Sequence, residues 1–459
     1  MIDLLIVVLH VTAVLAVGLA GSRQDTAQNL QRFALGKKQH TTWLLVGTFG
    51  AATIGASATL GQAEWSFREG ITYTFVCCVG FPLSDLLLAI LIAPRLQRFA
   101  GCISCGDIMQ RLYGTAGRVF TGIAAVMVCL ITVGVQVVAL GFISEVLLGV
   151  SAQQAALGGM LSITLYSALG GMRSVAFTDI VQLATTAISI CLLVVFGWLH
   201  IGGWTQFVQA LPPTHLQLFP TAASKWQWLP LLFVFCLPVL GPSTLHRLLL
   251  AGAAQQAKTT LQINALLRLL LTAAVGLIGL LVCCLFPHIT SHHALPVAVN
   301  AFLPIGVRGV VIAGLLAAMM STCDSFLHTA SITLVHDVLV PLFVPRMQQQ
   351  MQVRCARGSM VLLALLSVVL TGDGASVITL LLRSMNFWLP GIFLPLFLGF
   401  WGIRSTPRRF LLSACIGFAV CAVWNSFVQP SLPIPGYVPA LFVNAVLLLS
   451  NGRLTICNI

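Results

Sequence analysis

Long apolar runs separated by short polar stretches limit the fold of this chain more than any other feature. The runs fall at about residues 1–20, 41–65, 72–98, 115–149, 153–170, 175–200, 226–247, 261–287, 306–338, 355–372, 377–402, 408–424 and 436–450. A helix crossing a hydrocarbon layer needs about 20 apolar residues, and most of the runs are near that length. Only 7% of the 459 residues are charged, where a soluble domain carries about 25%. With a mean hydropathy of +1.00, the chain cannot clothe a core in a water-facing surface. Inside lipid the backbone must satisfy its polar groups within its own segment. The expected fold class is therefore an all-α polytopic membrane protein of about 13 transmembrane helices, with little chain left for a soluble domain. The run at 115–149 is too long to cross upright, so it must tilt or contain a lateral helix.

The net charge of +12 follows the topology and does not call for nucleic acid. Of 23 basic residues, about 19 follow the first, third, fifth, seventh, ninth, eleventh and thirteenth runs. They include Arg23, Lys37, Lys38, Arg95, Arg98, Arg118, Arg247, Lys258, Arg268, Arg346, Arg404 and Arg453. Basic loops mark the cytoplasmic side, which places the amino terminus outside and the carboxyl terminus inside a cell inner (plasma) membrane. The excess positive charge then meets anionic lipid headgroups. No Lys or Arg precedes the first run, as a secretory signal would require, so that run is read as an uncleaved span. The 14 cysteines are scattered, and buried cysteine packs as a small hydrophobe. Cys102 and Cys105 have C-x-x-C spacing, but no second pair stands at zinc-ribbon distance. There is no H-E-x-x-H and no G-x-S-x-G; His288, His292 and His293 form an outer-loop cluster read as solvated. An enzyme is not expected.

Two runs are interrupted at mid-depth. Gly50 to Thr59 is small and polar, and Pro238, Gly241 and Pro242 interrupt the run at 226–247. Each proline removes an amide donor and kinks the helix. The two breaks open two five-helix sets, a pattern of inverted repeats with a site at the membrane midplane, where unwound backbone offers carbonyls to an ion. In the run at 306–338, Ala318, Ser321, Thr322 and Ser325 share one helical face. Hard cations take oxygen ligands, although such hydroxyls also bond back to carbonyls one turn earlier. Asp85, Asp179 and Asp324 lie in or beside apolar runs, where ionisable residues are costly and mark function. Asp337, near a run's end, is read as a solvated carboxylate.

These stretches resemble the sodium:solute symporter family. Leu315 to Ser325 (LLAAMMSTCDS) resembles its ion-site helix, and Gly170 to Gln182 (GGMRSVAFTDIVQ) its Gly-Gly, Thr-Asp and Gln signature. Phe33 to Lys37, Arg111 to Gly114, Pro242 with Arg247, and Pro435 to Tyr437 resemble further motifs, so the likeness runs from about residue 30 to 450. It implies a five-plus-five inverted-repeat (LeuT-like) core with one helix before and two after. The domains would be 1–40, a core at 41–403 (repeats 41–200 and 226–403) and accessory spans at 404–459. It also implies sodium bound by the carbonyls of Ala56, Thr59 and Ala318 and the hydroxyls of Ser321 and Thr322. A second sodium site would use Asp179, Ser321, Asp324 and Ser325. By analogy, Gln62, Tyr73, Gln136, Cys236 and Asn386 would line the substrate cavity. Some amino-acid-transporting members carry an acid in the first break; here it is Ala58, which removes an obvious partner for an ammonium group. The function implied is sodium-coupled import of a small polar organic solute by alternating access, with sodium co-transported rather than resident. Proton coupling through Asp179 or Asp324, and a receptor-like membrane sensor, are the alternative readings.

Overall fold

The computed structural model describes residues 1–23, 29–36, 40–219, 222–238, 240–370, 377–429, 434–449 and 455–456. Lys37, Lys38 and Arg453, counted above for orientation, lie outside them. In chain order the helices are α1 (Ile2–Arg23), α2 (Leu30–Leu35), α3 (Thr42–Thr53), α4 (Leu60–Glu69), α5 (Ile71–Leu87), α6 (Cys105–Leu148) and α7 (Ala152–Ile201). Then follow α8 (Trp204–Ala210), α9 (Ala222–Cys236), α10 (Pro242–Leu248), α11 (Ala254–Leu285), α12 (Ala294–Phe302) and α13 (Val307–Thr333). The last are α14 (Val340–Phe343), α15 (Gln349–Leu370), α16 (Val377–Met385), α17 (Leu394–Phe400), α18 (Pro407–Val423) and α19 (Tyr437–Leu449). A two-residue antiparallel pairing joins Ile403–Arg404 to Thr455–Ile456.

Each expected run coincides with a helix or a broken helix. Nine helices among the described residues are long and apolar enough to cross a membrane alone, and the count is ten if α3 and α4, bent by 76° at their break, are taken as one span. The 50 residues of α7 would make a rod of about 75 Å, more than twice a hydrocarbon core. It bends at Gly171, which has φ 60° and ψ −153°, and so supplies the two runs expected at 153–170 and 175–200. Only glycine takes that backbone conformation without strain, and a Cβ there would lie 2.8 Å from the Phe33 ring of α2. Two separate sequence motifs thus meet at one bend. The run at 115–149 begins where α6 breaks at Gly114; beyond it 115–148 is one helix of about 50 Å, with no lateral helix inserted, so it is longer than a hydrocarbon core.

Burial sorts the helices into a centre and a periphery. In the most apolar window of α13, 89% of the residues are buried, against 17% for α1 and 22% for α18. The centre is α13, packed on α7, α6 and α1, and its polar residues face protein, not lipid. Asp3, the lone early charge of α1, is itself buried. It accepts from the amides of Gly306 (2.8 Å) and Gly309 (3.0 Å) and pairs with Arg308 at 2.7 Å, which caps the start of α13 and ties it to α1. A carboxylate at a helix N-terminus satisfies orphan amides and complements the dipole.

Asp337 corrects an expectation. It is fully buried, accepts from Ser104 Oγ at 2.8 Å and pairs with Arg118 at 3.1 Å. Its neighbour His336 bonds Asp107 at 2.8 Å. The residues beyond α13 pack against the start of α6, so a position read as a solvated helix end is an internal tie between helices.

Candidate functional site

The first broken helix unwinds where expected. Helix α3 runs to Thr53, Ala56–Ala58 forms a tight turn, and α4 begins at Leu60. The freed backbone is held by other helices. The amide of Ala56 donates to Gln136 Oε1 of α6 at 2.8 Å. A Cβ on Gly55 would stand 2.6 Å from both Gln136 Oε1 and Thr322 Oγ1, so α6 and α13 press directly on the break. From α13, Ser321 Oγ donates to the carbonyls of Ala51 (3.1 Å) and Ala318 (3.0 Å). Thr322 Oγ1 reaches the same two carbonyls at 3.5 and 3.2 Å. Bonding back to Ala318 is therefore present, and the same hydroxyls also bridge to the other helix.

Four oxygens from two helices thus converge: the carbonyls of Ala51 and Ala318 and the hydroxyls of Ser321 and Thr322. Among the described residues no hydrogen bond joins Ala56 or Thr59 to Ser321 or Thr322. Thr59 Oγ1 donates to the carbonyls of Gly55 (3.0 Å) and Ala56 (3.5 Å), within the break itself. The carbonyl meeting α13 is that of Ala51, one turn before the break. A motif transferred by sequence carries no register for an unwound segment, and Ala51 has no chemical label that would mark it.

One turn along α13 lies a charged cluster. Thr48 Oγ1 donates to Asp179 Oδ2, and Arg247 pairs with Asp179 at 3.5 Å. Arg247 Nε donates to the Thr48 carbonyl (2.9 Å), Nη1 to Ser243 (2.7 Å) and Nη2 to Ser325 Oγ. Asp324 accepts from Tyr166 Oη at 2.5 Å and from Ser325 Oγ at 3.2 Å. All these side chains are buried. Asp179, Ser325 and Asp324 are brought together as the second-site reading expects, but a guanidinium already stands among them. Arg247 was counted as a loop charge; α10 instead starts at the mid-membrane break and carries it into the interior. Thr48 and Tyr166 were not singled out, since a hydroxyl in an apolar run carries no signal until its partner is known.

A cavity of about 220 Å³ adjoins both groups. It is lined by residues of the α3–α4 break, by Thr132 and Gln136 of α6, by Arg247 and by Thr322. Aromatic walls come from Phe49, Tyr73, Phe81, Phe235, Phe326 and Trp388. Of the expected lining residues, Tyr73 and Gln136 border it; Gln62, Cys236 and Asn386 do not. Gln62 turns its amide to the Thr272 carbonyl of α11, Cys236 ends α9 beside the lining residue Phe235, and Asn386 accepts from Cys421 Sγ at 3.3 Å. Helical periodicity gives the face of a residue, but not which neighbour that face meets. Asp85 and Arg268 also line the cavity. Arg268, assigned above to a basic loop, lies midway along α11; with Arg247 also inside, the orientation count drops by two, from about 19 to about 17 of 23 basic residues. The signal was present, since residue 268 falls inside the run at 261–287.

This combination of two broken helices, a central polar helix and a cavity between them is that of a membrane transporter. The sodium:solute symporter family profile matches residues 33–408, and the chain belongs to that family. It is 24% identical to the sodium/pantothenate symporter of Escherichia coli (strain K12), over 94% of this chain and 92% of that one. It is 21% identical to the sodium/glucose cotransporter of Vibrio parahaemolyticus, over 94% and 86% of the two chains. A solved structure titled as the substrate-bound outward-open state of a Na+-coupled sialic acid symporter superposes with a TM-score of 0.80 at 15% identity, covering 100% of this chain and 99% of that one. The protein is a multi-pass, sodium-coupled solute symporter with the LeuT-like five-plus-five architecture, and sodium is its co-transported ion.

Proposed function

We propose that sodium is held where α13 meets the first broken helix, and that it gates import of a small organic solute from the adjoining cavity. The observation that carries this is the convergence of Ser321 and Thr322 on the Ala51 carbonyl at the end of α3, beside the Ala318 carbonyl. A sodium ion would exchange these hydrogen bonds for ion–oxygen contacts and tie α3 to α13. Such a tie favours whichever state brings the two helices together, and an ion shifts a conformational balance only by its differential affinity. Sodium entering from the outside would favour a solute-binding, outward-open state. Its loss inside, where sodium is scarce, would loosen the helices and release the solute. The core spans 41–403 in this reading, with repeats at 41–200 and 226–403. The amino terminus is outside and the protein lies in the cell inner membrane.

One sodium ion is the favoured count, because Arg247 supplies a fixed cation to Asp179 and Ser325. That arginine balances one of two buried carboxylates, and this observation favours a second reading, in which a proton on Asp324 or Asp179 is carried with or instead of sodium. Equilibrium binding of radioactive sodium to the purified protein separates the two. Thr322→Ala is expected to weaken sodium binding about tenfold, equivalent to about 1.4 kcal/mol. Unchanged binding in that variant, or uptake that follows pH and ignores sodium, contradicts the sodium reading.

A further inference from the structure

The two arginines that border the cavity are used differently. Arg247 directs Nε, Nη1 and Nη2 to protein oxygens. Arg268 is bonded through Nη1 alone, to the two oxygens of Asp85 at 3.4 and 3.5 Å. Those distances are long for charge-assisted bonds, which run at about 2.7–2.9 Å. The guanidinium lies over the Phe81 ring at 4.3 Å, which supports its flat face and leaves its edge free. A guanidinium carries five N–H donors in a fixed fork, and among the described residues Nε and Nη2 of Arg268 have no hydrogen-bond partner. Its side chain keeps 18% of its surface exposed, while that of Asp85 keeps 3%. An arginine with an open edge at the middle of a membrane helix is a binding-site hypothesis by default. The planar two-donor edge matches a carboxylate. The same cavity also presents apolar surface, formed by Phe49, Phe235 and Trp388.

We infer that the solute is a small organic acid, its carboxylate held by the Nε/Nη2 edge of Arg268 and its apolar body lying against the aromatic walls. Asp85 tethers the guanidinium loosely and competes with the solute carboxylate for it. The inference rests on the sodium-coupled reading of the same cavity and names the class of solute.

The test is a melting-temperature screen of the full-length protein in detergent, in saturating sodium, with carboxylate and amide pairs of one shape. Suitable pairs are nicotinate and nicotinamide, phenylacetate and phenylacetamide, and 3-hydroxybutyrate and its amide. A carboxylate is expected to stabilise the protein where its amide does not. Arg268→Gln should weaken that carboxylate at least thirtyfold, Arg268→Lys should restore part of the loss, and Asp85→Asn should strengthen binding severalfold. Opposite signs at residues 268 and 85 cannot come from general misfolding. Sodium stabilisation should survive in Arg268→Gln, because the ion oxygens lie on α3 and α13. The inference is overturned if no carboxylate shifts the melting temperature, if amides or amines bind as well, or if Arg268→Gln leaves carboxylate binding unchanged while sodium still stabilises. Absence of any sodium response in the unmodified protein breaks the transport reading first, and the inference falls with it.

Discussion

The two broken helices are held open by different physics. The break at 54–59 contains no proline and is kept apart by neutral contacts: the Gln136 amide on Ala56 N–H, and the Ser321 and Thr322 hydroxyls on the Ala51 carbonyl. The break between Cys236 and Pro242 is written into the covalent chain by Pro238 and Pro242. Beyond it Arg247 is fixed by an ion pair and three hydrogen bonds. Neutral oxygens can exchange a hydrogen bond for an ion at little electrostatic penalty. A buried guanidinium cannot leave Asp179 without exposing an unpaired charge to low dielectric. The first break is therefore suited to bind and release a cation, and the second to hold its position while that happens.

The largest effect expected from this difference is at Arg247. Arg247→Ala removes one partner of a buried pair and should cost about 3–5 kcal/mol of stability, seen as a large fall in melting temperature that is the same in sodium and in potassium. A fall that occurs only in sodium would mean that the second break takes part in ion binding and would erase the contrast. A smaller effect is expected at Gln136. Gln136→Leu leaves the Ala56 amide unpaired, which should cost about 1–3 kcal/mol, and sodium affinity should drop severalfold as the break relaxes. Gln136→Glu keeps an acceptor for that amide and should preserve more of the sodium response. Equal losses in the two variants would show that the contact does not shape the ion site.

The same contrast explains how much was legible in the sequence. Helix positions were readable because hydropathy is a local property. Both breaks were readable too, one from its prolines and the other from its run of Gly, Ala, Ser and Thr. The α13 hydroxyls were found from spacing and motif together. Whatever depends on a partner far along the chain was not readable. Ala51 meets Ser321 across 270 residues, and only the fold chooses it over Ala56. Asp337 at a run's end and Arg247 near a predicted loop read as solvated charges, because a sequence does not reveal that a helix end is covered by another helix. Gln62 lies on the right broken helix but faces α11, since a bend of 76° resets which side of α4 meets the cavity.

The central claim is that the Ser321/Thr322 contact with Ala51 is the sodium site. It is tested most directly by following the melting temperature of the purified protein while sodium replaces potassium at constant ionic strength. A ligand that binds only the folded state stabilises by about 2.7 kcal/mol at 100 times its Kd. A sodium-specific rise that vanishes in Ser321→Ala/Thr322→Ala, beyond the fall in melting temperature that the lost hydrogen bonds cause in both cations, is the predicted result. An equal response to both cations, or a sodium response that persists in the double variant, contradicts the claim.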